Sequence, residues 1–543
     1  MTTVTHWLPS PFVVEPPAVF NLADLFESVA DQRRASLAVV AGADRLSYWA
    51  LDQLAARWAT VLADLGVGAG HRVALLLGNS LPHVAALLGA FKLRAVPLNV
   101  NQHYTVQELR HLLADADPTL IICEDQAAAA VTEALEPSGA SDPGRRPRLC
   151  PLPALAEALA QATAQPRRRD RHGGDTYLLY TGGTTGLPRG VEWRQEDLFF
   201  AALGGDSRPG RTITVPADAV AQLHHNPTLV LVASPLMHGT AQWVTLGSLL
   251  SGGTVVLLVE DNFDPVVLLD LAERERVAQL VVVGDAFAVP LAEALDAQPE
   301  RWKLDSLVII ASGGAALAPA TAQRLLAHLP GAVVVDGYGT SETGGQARRI
   351  HLPGLHPAAG FVGGSDTGIV GFDGQLIARG DPTPGHIGRS GRLPIGYRND
   401  PVRSAQTFPV IDHRRWALTG DLGRWCADGS IELIGRGERW VNSGGEKVAA
   451  LEVETVVCSH PAVGEAMVVG VPDPRFGEVV GVLVRLVPGA SLSVEQLARF
   501  CGSCLARFKL PRHVKVVREL PRTPTGKPDY RGGAAQLQRQ ANE

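Results

Sequence analysis

Apolar residues recur along the first two-thirds of the chain in two alternating patterns. Leu51, Leu54, Ala55, Trp58, Leu62 and Leu65 fall on one stripe of a helix, Gly66-Val-Gly-Ala-Gly70 makes a turn, and Val73-Ala-Leu-Leu-Leu77 reads as a strand. Further strand candidates follow at Leu120–Cys123, Tyr177–Tyr180, Leu229–Ala233, Thr254–Leu258, Leu280–Val283, Leu307–Ile310 and Ala332–Val335. Many of these runs are continuously apolar rather than alternating, which is expected when helices cover both faces of a sheet. Residues 40–340 therefore read as a layered α/β core. The stretch from Gly371 to Ser390, rich in Gly, Pro and Asp, reads as turns between short strands. Beyond Gly437 the pattern shifts to a small α+β unit, with helices near Leu451–Ser459 and Ser493–Arg507 and strands near Ala466–Val471 and Val479–Leu486. The expected division is a large α/β N-terminal domain of several subdomains over 1–435, a joint at 436–438, and a C-terminal α+β domain over 439–543. No internal repeat is visible.

At 543 residues, division into two or more domains is the expectation. With 46% hydrophobic residues and a net charge of −6, the chain belongs with globular proteins and lacks the basic field that would hold a nucleic-acid backbone. The densest basic runs, Arg145-Arg146-Pro-Arg148 and Arg167-Arg168-Arg169, read as solvated loops. No basic leader or membrane-length apolar run is seen. Six thinly spread cysteines point to a reducing cytoplasm, and Cys501-Gly-Ser-Cys504 reads as a structural pair.

The segment Tyr180-Thr-Gly-Gly-Thr-Thr-Gly-Leu-Pro-Arg-Gly190 follows a strand candidate directly. Its glycines allow backbone N–H groups to close around phosphate oxygens, and its threonine hydroxyls can donate to the same anion or support magnesium. No Gly-Lys-Ser/Thr follows at the P-loop distance. Other segments follow in order: Pro235-Leu-Met-His-Gly239, Ser312-Gly-Gly-Ala-Ala316, Tyr338-Gly-Thr-Ser-Glu-Thr343, Gly396-Tyr-Arg-Asn-Asp-Pro401, Thr419-Gly-Asp-Leu422, Gly435-Arg-Gly-Glu438, Asn442-Ser-Gly-Gly-Glu446 and Pro524-Thr-Gly-Lys527.

Together these segments, spread over nearly the whole chain, resemble the adenylate-forming superfamily of acyl-CoA synthetases, luciferases and nonribosomal adenylation domains. The resemblance implies ATP, Mg2+ and coenzyme A as cofactors and a small carboxylic acid as substrate. Thr181, Gly182, Gly183, Thr184, Thr185, Gly186 and Arg189 would surround the phosphates, with Thr181 and Glu342 holding magnesium. Tyr338, with Gly339 and Ser341 also at the nucleotide, would lie against adenine where Gly313 and Gly314 let the backbone approach. Asp421 and Arg436 would grip the ribose. Lys527 would neutralise charge as a carboxylate attacks the α-phosphorus, oriented charge of this kind being a large catalytic contribution; its plain alternative is a solvated lysine. His238 would sit between acyl pocket and thiol channel, or else be a core histidine. Glu438 matches the hinge, at which the small C-terminal domain is mobile: rotation would withdraw Lys527 and bring Gly444 and Gly445 over the adenylate.

The Gly-Gly form of the phosphate loop, Val191–Asp197, Val283-Gly-Asp-Ala-Phe287 and Asn442–Val448 resemble bacterial fatty-acyl and steroid-side-chain acyl-CoA synthetases, although Trp193–Asp197 also reads as the start of a surface helix. Trp243, Asp285, Phe287 and Ala315 are expected around the acid. Two departures stand out: Arg189 replaces the usual lysine, and Gly437-Glu438-Arg439 is an uncommon hinge neighbourhood. The expected activity is an acid–CoA ligase releasing AMP and pyrophosphate. Its rivals are a biosynthetic enzyme passing the acyl group to an amine or to a carrier protein in trans, activation of nitrite, luciferase-type oxygen chemistry, and a nucleotide sensor without turnover. Room is left for a homodimer.

Overall fold

The computed structural model describes residues 19–136, 146–164, 167–182, 188–205, 213–223, 228–260, 262–355, 360–436, 440–443, 446–473, 477–502, 505, 509–523 and 528–541. Two large sheets form the α/β core. One has nine strands, in the spatial order Val362–Gly363, Gly344–His351, Val333–Thr340, Ile309–Gly313, Gln279–Val282, Leu229–Val232, Thr254–Leu257, Leu37–Ala41 and Asp44–Ser47. The other has seven, in the order Gly396–Tyr397, Pro188–Arg194, Thr176–Gly182, Val96–Asn99, Arg72–Leu76, Leu120–Cys123 and Arg148–Pro151. Both have parallel centres; antiparallel strands lie at both edges of the nine-stranded sheet and at one edge of the seven-stranded sheet.

The continuous apolar runs are explained by what covers each face. Side chains alternate across a strand, so Val73 and Leu75 point into the main core while Ala74 and Leu76 point the other way into a second cluster. Val39, Val230, Val232 and Val255 share the main core, whereas their neighbours Val40, Leu231 and Val256 face a third cluster. Helices Leu22–Gln32, Tyr48–Asp64, Leu81–Lys92 and Gly239–Leu250 contribute to the layer between the sheets. Helices Pro265–Glu275, Gly284–Ala297 and Pro319–His328 cover the outer face of the nine-stranded sheet, and Val106–Ala116 covers that of the seven-stranded sheet. Helix Leu81–Lys92 is buried continuously from His83 to Lys92, as a helix apolar on all sides must be. The Ser80 hydroxyl accepts from the His83 N–H at its start.

A third, antiparallel sheet joins Thr367–Val370, Gly385–Ser390, Arg414–Trp425 and Ile431–Arg436, among others. A fourth begins at Trp440–Ser443 and is built on the long pair Val463–Asp473 and Gly477–Leu486. No described helix is long and apolar enough to cross a membrane.

Two sequence expectations change. The strand expected at Leu307–Ile310 runs instead at Ile309–Gly313, because the Leu307 N–H is taken by Leu304 O in the preceding turn. Arg167 is not simply solvated: it pairs with Asp31 at 2.5 Å and reaches Asp52 at 3.4 Å. It borders a buried ion cluster in which Lys92 Nζ meets Glu27 at 2.5 Å and Asp52 at 2.6 Å, and Arg171 meets Glu27 at 2.8 Å and Asp24 at 2.6 Å. Burial alone would raise the Glu27 carboxyl, but hydrogen bonds from Arg171 and the charge of Lys92 outweigh it and hold it below the ordinary glutamate value.

Removing one partner of a buried ion pair strands the other charge, so Lys92→Met should destabilise the protein by about 3–5 kcal/mol in urea unfolding. Because the folded-state pKa of Glu27 is depressed, its contribution is present above the unfolded value and lost as pH falls through the folded one. Wild-type stability should therefore drop on acidification through that window, and the variant should show a smaller drop.

Candidate active site

The strand ends of three sheets converge on one region. Thr181 and Gly182 finish strand Thr176–Gly182 and pair in register with Arg189 and Pro188 on the returning strand. Behind them Asn99 closes both backbone groups of Tyr180, accepting its N–H at 2.9 Å and donating to its carbonyl at 3.0 Å. Asn99 also donates to Met237 O at 2.5 Å, tying this strand to the segment that holds His238. The Tyr180 hydroxyl donates to Asp115 at 2.5 Å.

On the nine-stranded sheet, Gly313 ends its strand beside Gly337. Gly314 adopts φ +85°, and a Cβ there would lie 3.0 Å from Thr240 Oγ1. The backbone after Gly313 thus lies against the start of helix Gly239–Leu250, immediately after His238, whose backbone occupies the N-cap position. One strand over, Tyr338 donates its hydroxyl to Asp421 Oδ2 at 2.9 Å, and Thr419 donates to the same oxygen at 3.3 Å. Asp421 stands opposite Arg436 in the third sheet.

Ser341 and Glu342 occupy the turn between strands Val333–Thr340 and Gly344–His351. At Gly339 the hairpin closes so tightly that a Cβ would fall 2.0 Å from Gly344 O. Trp193 Nε1 donates to Ser341 O at 3.0 Å, and the Tyr397 hydroxyl donates to Glu342 Oε1 at 2.7 Å. Arg389 donates to the carbonyls of Thr343 and of Gly345, the latter at 2.8 Å, anchoring the far side of the same turn.

The structure brings Thr181, Gly182 and Arg189 together on one hairpin, gathers Gly313, Gly314 and the backbone at His238 in a second group, and joins Tyr338 to Asp421. Gly183, Thr184, Thr185, Gly186, Glu438, Gly444, Gly445 and Lys527 lie outside the described residues, and Arg436 is described through its backbone. Of the residues expected around the acid, Asp285 accepts the Ala318 N–H at 3.1 Å, and burial pushes its carboxyl up to about 6. Phe287 packs at a tilt against Phe263, with ring centroids 4.4 Å apart, and Trp243 packs edge-on at 6.3 Å against Trp193. The Trp193–Asp197 stretch is not a surface helix start: Trp193 is fully buried in a strand, and Gln195, Glu196 and Asp197 are buried at the head of the helix that follows.

Asn99, Trp193 and Tyr397 carry contacts that the sequence did not assign. Asn99, a lone amide at the end of the apolar run Val96–Asn99, was the most visible of the three, since a buried amide needs partners.

Among the described residues no cluster of three or more His, Cys, Asp or Glu side chains could hold a metal by itself. Magnesium brought in on a nucleotide takes one or two protein carboxylates and completes its oxygen coordination from phosphate and water. Glu342, half-buried and fixed through one oxygen by the neutral hydroxyl of Tyr397, is a donor of the right chemistry.

The fold is that of an adenylate-forming enzyme, and the chain belongs to the AMP-binding enzyme family, whose model matches residues 26–389. The AMP-binding enzyme C-terminal domain matches residues 452–527. The chain is 38% identical over 525 residues to the medium-chain acyl-CoA ligase Mig of Mycobacterium avium, covering 91% of this chain and 94% of that one. It is 35% identical over 534 residues to a medium/long-chain-fatty-acid–CoA/3-oxocholest-4-en-26-oate–CoA ligase of Mycobacterium marinum, covering 95% and 96%. Among solved structures, the amide bond synthetase McbA from Marinactinospora thermotolerans superposes with a TM-score of 0.78 at 26% identity, over 95% of this chain and 99% of that one.

Gly339→Ala should force the Tyr338–Thr343 turn to open, a close-packing penalty of about 1–3 kcal/mol. Calorimetric ATP affinity should fall by about tenfold or more, equivalent to roughly 1.4 kcal/mol. Gly331→Ala, where a Cβ meets nothing within 4 Å, should leave it unchanged.

Proposed function

We propose that this protein is an ATP-dependent acid–CoA ligase that activates a medium- or long-chain fatty acid, or the side-chain acid of a steroid, as its acyl-adenylate. The observation that carries the nucleotide reading is the Tyr338–Asp421 hydrogen bond at 2.9 Å beside the Gly313–Gly337 strand pair. It leaves an aromatic face next to a surface without side chains, with a carboxylate able to accept ribose hydroxyls. Gly314 extends that bare surface, and Arg436, opposite Asp421, would close the ribose side. Thr181 to Gly186 and Arg189 would surround the phosphates. Magnesium, held by Glu342 and Thr181, would screen their charge. The acid class rests on the acyl-CoA ligases to which the chain is 35–38% identical.

The acid carboxylate and the α-phosphate are both anionic, so approach is opposed electrostatically. Lys527 would lie between them and offset that repulsion as the new bond forms. We place the hinge at 436–438, with 1–435 as the adenylating domain and 439–543 as a mobile C-terminal domain. Swinging there about Glu438 would exchange Lys527 for Gly444-Gly445 and open a passage for the coenzyme A thiol past His238. The amide bond synthetase neighbour keeps a second acceptor in view: an amine attacking the same adenylate. Action in the cytoplasm, as a homodimer, or with a carrier protein belongs to the same set of proposals.

Pyrophosphate–ATP isotope exchange should therefore occur with the correct acid in the absence of coenzyme A. Mass spectrometry after incubation with a panel of fatty, aromatic and steroid acids, with coenzyme A or a primary amine, should show the thioester. Amide in place of thioester would overturn the coenzyme A assignment. Absence of exchange with an acid that is turned over would overturn the two-step mechanism. Lys527→Ala should slow adenylation by roughly 10²–10³-fold, the value of one oriented donor in a dry site, while sparing thioester formation from supplied acyl-adenylate.

A further inference from the structure

We infer that Tyr397 is a positioning residue for the metal-binding carboxylate: its hydroxyl, 2.7 Å from Glu342 Oε1, fixes the orientation in which Glu342 meets the nucleotide-bound cation. The inference rests on the role proposed above for Glu342.

Tyr397 lies on the two-residue strand Gly396–Tyr397, which pairs with Val191 and Glu192 on the strand returning from the phosphate loop. That short strand is held unusually firmly for an edge. The Tyr397 N–H donates to Ser404 Oγ at 2.9 Å, and the Arg398 N–H donates to Gly190 O at 2.8 Å. Arg398 Nε and Asn399 Nδ2 both donate to Asp115 O, at 3.0 and 2.9 Å. Asp115 is also the acceptor for the Tyr180 hydroxyl at the base of the phosphate loop. The tyrosine ring packs against Phe408 at 5.8 Å. Its backbone is therefore registered to the phosphate hairpin and its hydroxyl to the Glu342 turn, so it links the two and aims the Glu342 carboxylate.

The chemistry of the donor suits this task. A tyrosine hydroxyl is a neutral hydrogen-bond donor. A neutral donor fixes one carboxylate oxygen without cancelling the charge that a cation needs, whereas a lysine or arginine in its place would compete with the metal. Among the described residues, no hydrogen bond reaches the second oxygen of Glu342. Partners that orient a metal-binding side chain commonly change metal affinity by about 10–100-fold when removed.

The test is Tyr397→Phe, which keeps the ring and its packing and deletes the hydroxyl. Mn2+ binding to the enzyme with a non-hydrolysable ATP analogue, followed by electron paramagnetic resonance, should weaken by about tenfold or more. The Mg2+ concentration needed for half-maximal pyrophosphate exchange should rise in parallel, and added Mg2+ should recover most of the rate. Thioester formation from supplied acyl-adenylate, which involves no departing pyrophosphate, should match wild type. Unchanged Mn2+ affinity overturns the inference, as does equal loss of both half-reactions with a lowered melting temperature. Glu342→Gln separates the two levels: if it binds Mn2+ as wild type does, the role of Glu342 itself fails.

Discussion

One buried indole joins the two large sheets at the place where their strand ends meet. Trp193 belongs to the seven-stranded sheet, yet its N–H donates to Ser341 O in a turn of the nine-stranded sheet. Two sheets packed through a common helical layer could slide by fractions of a side chain, since dispersion contacts have little directionality. A hydrogen bond in a dry environment has direction, and leaving the buried indole N–H unmade would cost about 1–3 kcal/mol. Trp193 therefore converts approximate packing into a fixed separation between the Thr181–Arg189 hairpin and the Ser341–Glu342 turn. The core supplies the stiffness, and this contact supplies the register.

The same economy governs how the layers are assembled. Strands in both large sheets send alternate residues into different clusters, so each strand reads as an uninterrupted apolar run. Those runs made most strands legible, including Leu120–Cys123 to the residue. The strand expected at Leu307–Ile310 slipped because a buried leucine in a turn has the same apolar character as one in a strand. Periodicity reports burial, and only the hydrogen-bond partner of Leu307 distinguishes the two.

The candidate site divides along similar lines. Segments such as Tyr338–Thr343 and Thr419–Leu422 were legible because glycine, hydroxyl and carboxylate side chains occur together in a short span. Partners that come from afar were not. Tyr397 and Glu342 are 55 residues apart, and Trp193 and Ser341 are 148 apart. The segment Gly396–Pro401 drew notice to Tyr397, but no local pattern shows which atom its hydroxyl reaches. The Arg167 run misled for the same reason, since its partners Asp31 and Asp52 belong to helices much earlier in the chain.

How the carboxylates are held separates scaffold from site. Glu27, Asp336 and Asp366 each face an arginine or lysine, at 2.5, 2.9 and 2.6 Å, in pairs that consume their charge to fix the fold. Glu342 accepts instead from the hydroxyl of Tyr397. A hydroxyl aims a carboxylate while leaving its negative charge available to whatever binds. That combination would suit the cation-binding role proposed for Glu342, because reorientation of the acceptor during binding would weaken the contact by the entropy lost. Charge-neutral bracing is thus a physical condition under which half-buried Glu342 keeps its capacity as an acceptor.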